Sequence, residues 1–543
     1  MNMKGLFVKP EPTLPPQLYP RHRPCKRRRG YREMKSPFLF VVLWLSLFLQ
    51  SCTGTPPPET GLDDAAPPQQ LVRERVDVEP HSEWAEAILY FVIVDRFADG
   101  DSENNQNVDR DAKGTFHGGD LRGLIDHIDE LSDLGVTALW LTPLVKNIDG
   151  FVTGAGFPDW GYHGYWADDF YSLDPRFGTE EELKELVDAC HSRGIAVLLD
   201  IVYNHPGYDS KYVKDPQTRD WLRVEGRGTC GSDDLTQCLA GLPDFKTERP
   251  EVADYLLEAH LGLAERTGLD GFRLDTVKHV SHEFWQRHRR EVDARLGEDF
   301  FLLGEVWGGD AKVLDPWFVN DELDAGFDFS FKGSALGFVQ GRGRPVAFNR
   351  YLEKRHEVRD GYLLAPYLSS HDVPMALYEL EGNVELFRLA AFLKFTVAGM
   401  PTIYYGEEVG RLGGDWPENR SDMPWGNMGI QPGLGDERDE GLREYYKRLI
   451  AARRAHPALW RGNHEKVLAD GDLLIFSRQD PKAESAVVLV GVNRGEASEA
   501  RFARPESWTG DVVRDVLSGE TFAVASEVTV PMPAKSGRIL VNE

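Results

Sequence analysis

The chain has 543 residues and a formal net charge of -26. That length has room for several domains and a large core. The acidic balance argues against nucleic acid and against an anionic lipid surface as partners, and is compatible with a neutral substrate.

The first 52 residues differ from the rest. Lys26-Arg-Arg-Arg29 is basic, and Phe38 to Leu49 is a nearly unbroken apolar run. The run is too short to span a bilayer and suits a signal-peptide core. Met34-Lys35 just before it offers a standard start, so the residues ahead read as an extension. Leu49-Gln-Ser-Cys52 resembles the lipobox of bacterial lipoproteins. That resemblance implies a lipid on Cys52 and a membrane-anchored, extracytoplasmic protein, on the periplasmic or cell-surface side. Residues 1–52 are thus expected to be an extension with a lipoprotein-type signal peptide. Residues 53–82, with Pro56-Pro-Pro58 and Pro67-Pro68, read as a Pro-rich flexible tether.

From about Ser82 strands and helices alternate. Ile88 to Val94 is a continuous apolar run, as in a strand buried on both faces. Leu121, Leu124, Ile125, Ile128 and Leu131 form a helical stripe that stops at Gly135, and Ala138–Leu141 is the next strand. Thr179 with Glu182 three residues on is a capping box opening a helix that ends at Gly194. Further strands are expected at 195–202, 270–275, 300–303, 325–329, 362–368 and 401–405. Eight strands with helical patterns between them predict an α/β fold, a (β/α)₈ TIM barrel, whose chemistry sits at the carboxyl ends of the strands. Residues 206–244 are Gly-, Asp- and Pro-rich and read as an insertion after the third strand. After about His456 short β-type runs at 473–477, 486–493, 512–516 and 528–530 predict a small antiparallel domain. The expected domains are therefore barrel 83–205 and 245–455, inserted domain 206–244, and C-terminal β domain 456–543. Cys230 and Cys238 lie close together in the inserted loop and can pair in an oxidising compartment. Cys190 falls in an apolar helical stripe and reads as core.

The strand ends carry polar groups. The third gives Asp200-Ile-Val-Tyr-Asn-His205, the fourth Gly271-Phe-Arg-Leu-Asp-Thr-Val-Lys-His279, the fifth Gly304-Glu-Val-Trp307 and the seventh Ser369-Ser-His-Asp372. Arg273 and Asp275 are two apart and share one strand face, so the cation favours an ionised carboxylate fit to act as a nucleophile. Gly161-Tyr-His-Gly-Tyr-Trp166 precedes the third strand, and Gly399 to Glu407 surrounds the eighth.

In this order the set resembles the α-amylase family, glycoside hydrolase family 13, from roughly Trp84 onward. The resemblance implies a barrel with a domain B after strand three and a β-sandwich domain C. It implies Asp275 as nucleophile, Glu305 as general acid/base and Asp372 as the third carboxylate, which helps to distort the sugar. It also implies substrate contacts from His163, Tyr165, His205, Arg273, Lys278, His279 and His371, and a structural role for Asp200. In retaining glycosidases the two reacting carboxyl groups are roughly 5–5.5 Å apart. Glu305 must start protonated, and Trp307 and Phe301 are expected to desolvate it.

One or two calcium sites are expected. Asp99-Gly-Asp-Ser-Glu-Asn-Asn105 with Gly118-Gly-Asp120 is rich in the hard oxygens that Ca²⁺ takes. It resembles the first calcium site of cyclodextrin glucanotransferases, with Asp99, Asp101, Asn104, Asn105, Gly118 (or Gly119) and Asp120 as candidates. Asn204, Asp244 and the carbonyl of His279 match a second family site between barrel and domain B, although Phe245 and Lys246 depart from the usual continuation. Calcium at either place is expected to be structural.

The leading expectation is a lipid-anchored endo-acting α-amylase on starch, glycogen or maltodextrins. The alternatives are a cyclodextrin glucanotransferase, a cyclodextrinase or another transglycosylase on the same scaffold, and, from a different class, a non-catalytic glucan-binding protein. Against the first of these stands the lack of an evident starch-binding domain after domain C. Against a cyclodextrinase stands the short stretch before the barrel, which leaves no room for that group's N-terminal domain.

Overall fold

The structure is a computed structural model that describes residues 82–153, 156–483 and 486–543. Cys52 and the expected signal and tether segments lie outside these residues. Among the described residues no helix is long and apolar enough to cross a membrane.

Eight strands form one parallel sheet: β1 (Leu89–Val92), β2 (Ala138–Leu141), β3 (Ala196–Ile201), β4 (Gly271–Leu274), β5 (Phe301–Gly304), β6 (Ala325–Asp328), β7 (Leu363–Pro366) and β8 (Thr402–Tyr404). Neighbours follow chain order from β1 to β7, and β8 lies against the other edge of β1. A parallel bridge between Tyr367 and Thr402 joins β7 to β8 and closes the barrel. Nearly every residue of these strands is buried, because helices cover one face and packed side chains fill the interior.

The expected barrel strands are all present, with each end within two residues of the expected one. The first stops at Val92 and turns into a 3₁₀ segment, Val94–Arg96, which carries Asp95 and Arg96 into the interior. The stripe from Leu121 to Leu134 is two helices, Leu121–Asp126 and Ile128–Leu134, parted at His127. Gly135 ends the second at φ 95°, a left-handed cap that glycine adopts without strain. The Thr179/Glu182 capping box is present in both directions.

The insertion after β3 is mostly irregular, with Leu222–Arg223 pairing antiparallel to Asp244–Phe245. Cys230 and Cys238 are joined in a disulfide, and Cys190 is a buried free thiol.

The C-terminal part has eight strands: β9 (Asn463–Asp470), β10 (Leu473–Gln479), β11 (Val487–Asn493), β12 (Ser498–Ala503), β13 (Val512–Asp515), β14 (Thr521–Ala523), β15 (Glu527–Met532) and β16 (Ser536–Asn542). Six make an antiparallel sheet and β12 pairs with β15. Alternation decides which side each residue faces. Ile475 and Leu489 join Val528, Val530 and Met532 in a core between the sheets. Leu474, Phe476, Val488 and Val490 belong to the main core shared with the barrel.

Candidate active site

The site is built at the carboxyl ends of β3, β4, β5 and β7. The ladder continues just past the strands: Asp275 N donates to Ile201 O at 3.1 Å, and Glu305 N to Leu274 O at 2.9 Å. These bonds fix both carboxylate-bearing residues at the barrel mouth.

Arg273 is the hub. Its Nη1 lies 2.7 Å from Asp275 Oδ1 and 2.9 Å from Asp200 Oδ1, and its Nη2 lies 3.1 Å from Glu305 Oε2. The guanidinium sits over the Trp140 ring at 5.0 Å. One buried cation therefore holds three carboxyl groups, and Asp200 is the structural one: Trp140 Nε1 and the Tyr165 hydroxyl also donate to it, at 3.1 and 2.7 Å. Because the Tyr165 hydroxyl donates to Asp200, it accepts from His371 Nε2 at 2.8 Å.

Burial raises the Glu305 pKa well above its ordinary value; Arg273 opposes this, and the charges of Asp275 and Asp372 add to it. The desolvating surfaces are not those expected. Phe301 is four residues earlier on β5, roughly 13 Å away along the strand, and its ring stacks on Trp84 at 4.2 Å. Trp307 is 52% exposed. Trp140, Phe327, Phe329 and Tyr367 instead line a small cavity beside Glu305 and Arg273.

Above this floor lies a cleft of about 970 Å³, lined by Asp275, Glu305, Asp372, His163, Tyr165, His205, His371, Lys278 and His279. Thus every residue expected to react with or bind substrate lines it, apart from Arg273 directly beneath. His163, His205 and His371 are buried, and burial lowers the pKa of each. Lys278 is turned aside, Nζ donating to Trp307 O at 2.5 Å. His279 Nδ1 lies 2.8 Å from Asp234 O, in the disulfide loop of the insertion.

Sequence reasoning missed several lining residues. Arg420, from the loop after β8, has Nη2 3.5 Å from Asp372 Oδ1 and donates from Nε to His371 O at 2.9 Å. Trp416 belongs to the same loop and Asp159 to a hairpin before His163. Burial pushes the Asp159 carboxyl up to about 6, with Arg420 and Arg96 opposing. None lies in a periodic stretch; the only signal for Asp159 is its place four residues before His163.

Among the described residues no cluster of three or more His, Cys, Asp or Glu side chains is set to hold a metal. Both expected calcium sites combine carboxylates with amide and main-chain oxygens. In the first, Asp120 caps the helix Leu121–Asp126 and accepts from Gly100 N, Asp101 N, Asn104 Nδ2 and Gly123 N. Asp99 Oδ2 accepts from Asn105 Nδ2 at 2.8 Å and also faces Arg110. The side-chain oxygens of Asn104 and Asn105 are buried without a hydrogen-bond partner. Asn105 Oδ1 and Asp99 Oδ2 converge on Gly118, where an added Cβ would come within 2.3 and 3.1 Å of them. Buried orphan oxygens around a glycine suit a hard divalent cation. In the second, the Asn204 amide bridges the expected partners: its NH₂ donates to Asp244 Oδ1 at 3.1 Å and to His279 O at 3.0 Å, and its oxygen accepts from His205 Nδ1 at 3.2 Å. Arg223 donates to the other Asp244 oxygen at 2.7 Å.

A barrel that holds two carboxyl groups on one arginine, at the floor of a His- and Tyr-lined cleft, has the arrangement of a glycoside hydrolase. A sequence profile described as alpha amylase, catalytic domain, matches residues 91–227 and 232–424, and the chain belongs to that family. A cyclomaltodextrinase of Geobacillus thermopakistaniensis is 31% identical over 480 residues, covering 83% of this chain and 76% of that protein. Neopullulanase 2 of Thermoactinomyces vulgaris is 33% identical over 470 residues, covering 82% and 76%. The crystal structure of an Anoxybacillus α-amylase superimposes with a TM-score of 0.73 at 30% identity, covering 85% of this chain and 99% of that one.

Proposed function

We propose that the protein hydrolyses α-1,4-glucosidic bonds of short linear and cyclic maltodextrins with retention of configuration. The observation carrying the chemistry is the Arg273 guanidinium shared by Asp275 and Glu305. Asp275, held against a cation, attacks the anomeric carbon. Glu305 protonates the departing glycosidic oxygen, and a glycosyl ester forms on Asp275. Glu305, now ionised, takes a proton from water as that water opens the ester. Asp372, fixed by Arg420, grips hydroxyls of the reacting sugar with His371, and Tyr165 supplies a stacking face. The names of the relatives, cyclomaltodextrinase and neopullulanase, support cyclic and short substrates over the endo-acting starch hydrolase expected first. The endo-acting reading keeps support from α-amylases among the similar proteins, such as the Anoxybacillus enzyme, almost the whole of whose chain is matched.

The test is product analysis on β-cyclodextrin, maltoheptaose and soluble starch. Preference for β-cyclodextrin with new α-anomers supports the proposal. Preference for starch with mixed-length products restores the endo-amylase, and products longer than the maltoheptaose supplied indicate a transferase.

Calcium at Asp99, Asp101, Asn104, Asn105, Gly118 and Asp120, and at Asn204, Asp244 and the His279 carbonyl, belongs to this proposal. When bound it neutralises converging oxygens and ties domain B to the barrel. So does anchoring through Cys52 outside the cytoplasm, which the lipobox and the Cys230–Cys238 disulfide support.

A further inference from the structure

The three carboxylates of the cleft are not held alike. Asp275 and Glu305 are buried, and their backbone N–H groups continue the sheet ladder to Ile201 O and Leu274 O. Asp372 stands exposed on the turn after β7, and its N–H donates within that turn, to Ser370 Oγ at 3.2 Å. Among the described residues β7 and β8 meet through one bridge, Tyr367 to Thr402. The ladder therefore gives this turn little lateral support.

The support comes from Asn419, fully buried in the 3₁₀ turn Glu418–Arg420 beyond β8. Its own carbonyl accepts from the Tyr404 hydroxyl at 2.9 Å and from Arg411 Nη1 at 3.1 Å, which ties it to the end of β8. Its Nδ2 donates to His371 O at 2.9 Å and to Val373 O at 3.2 Å, and lies 3.4 Å from Ser370 O. These carbonyls come just before and just after Asp372. With the amide turned over, its oxygen would face all of them, so the neighbours settle its orientation. Lys332 Nζ continues the support by donating to Pro374 O at 2.6 Å.

We propose that Asn419 is a positioning residue for Asp372: its amide bridges the end of β8 to the turn after β7 and sets where the Asp372 carboxylate meets the sugar. Arg420 beside it faces the carboxylate itself, while Asn419 holds the backbone that carries it. An exposed carboxylate contributes to the reaction only if that backbone is fixed, since a misplacement of about 1 Å can cost on the order of 10²-fold in rate. Without the amide these carbonyls lose their donor, and the turn relaxes to recover one. The inference rests on the role proposed above for Asp372, the grip on hydroxyls of the reacting sugar.

The experiment is a double-mutant cycle in the full chain between Asn419→Ala and Asp372→Asn. It is followed on α-maltosyl fluoride, a substrate reactive enough to keep weak variants measurable. Asn419→Ala alone is expected to lower kcat/KM about 10- to 100-fold, mainly through kcat. In the Asp372→Asn background the same change is expected to cost less than about twofold, because the group it positions is gone. On maltoheptaose, Asn419→Ala should also move the basic limb of the pH profile to lower pH, the direction set by drawing the Asp372 charge away from Glu305. Asn419→Ser repeats the cycle if the alanine variant does not fold. Equal losses in the two backgrounds would mark a merely structural residue and overturn the inference, as would an unchanged kcat in Asn419→Ala; either leaves the proposed function standing. Asp372→Asn as active as wild type would overturn the role of Asp372 and the inference together.

Discussion

The backbone N–H of Thr276 donates to Glu305 Oε2 at 2.9 Å, from a left-handed conformation of φ 48° and ψ 42°. The same oxygen faces Arg273, whereas Oε1 has no partner among the described residues. In the proposed mechanism Oε1 is therefore the oxygen that carries the proton to the leaving group. Glu305→Gln is expected to lower kcat/KM on maltoheptaose by about 10²- to 10⁴-fold. α-Maltosyl fluoride, whose leaving group needs no protonation, should suffer much less. Equal losses on the two substrates would disprove the assignment.

The pH profile follows from the same group. Glu305 must be protonated to act, and burial first, then the charges of Asp275 and Asp372, raise its pKa against Arg273. The basic limb of kcat/KM should thus lie above the ordinary carboxylate range. Asp372→Asn removes one raising charge, so the limb of its residual activity should move to lower pH. A limb that stays in place counts against this electrostatic account.

Asp275→Asn removes the nucleophile of the proposed mechanism without changing its size. Turnover is expected to fall by about 10⁴-fold or more, with maltoheptaose binding retained by calorimetry. Near-normal turnover would rule out Asp275.

Arg420 acts through Asp372 and the carbonyl of His371. Arg420→Gln should reduce kcat/KM by about 10- to 100-fold, the scale of one charge-assisted hydrogen bond. The loss should fall mainly on kcat, because Asp372 works on the distorted sugar. A change confined to KM would mark Arg420 as a simple binding group.

Acid stability should be set where the barrel meets the C-terminal domain. His356 Nε2 accepts from Arg478 Nη1 at 2.9 Å, and the His356 and His464 rings stack at 5.8 Å. Burial, followed by Arg478 and Arg355, takes His356 down to about 2 and His464 to about 3, from 6.5. Both rings are neutral when folded and take up protons when unfolded. Below pH 6.5 the unfolded chain binds more protons, so stability falls as pH falls toward the folded values. His356→Gln should flatten the melting temperature between pH 6.5 and pH 4; an unchanged slope would locate the sensitivity elsewhere.

Chelation should lower the melting temperature, with about 2.7 kcal/mol lost for a site previously held at 100 times its dissociation constant. Gly118→Ala drives a methyl into Asn105 Oδ1 at a position of φ 95°. It should therefore weaken the calcium response of the first cluster. No shift on chelation would remove calcium from the account.

The barrel was legible because parallel strands covered on both faces read as apolar runs, as in Leu89–Val92 and Ile195–Leu199. The carboxylates Asp275 and Glu305 were legible because the motifs at these strand ends resemble those of the α-amylase family. Strand β9 escaped notice because an edge strand with several exposed residues has no apolar run to show. The break at His127 was hidden inside an unbroken apolar stripe. The aromatic surroundings of Glu305 were misread because sequence neighbours on a strand separate by about 3.3 Å per residue, while the true neighbours come from β2, β6 and β7. Arg420, Trp416 and Asp159 arrive from loops, where no period announces which way a side chain points.

The Cys230–Cys238 staple closes the loop that carries Asp234, and Leu239 and Ala240 follow it directly along the wall of the cleft. Tyr208 ties that wall down by donating to Ala240 O at 2.8 Å. The barrel beneath is held by apolar burial and by the ion pairs of Arg273, so this covalent link bears on the wall that bounds the cleft and not on the floor below it.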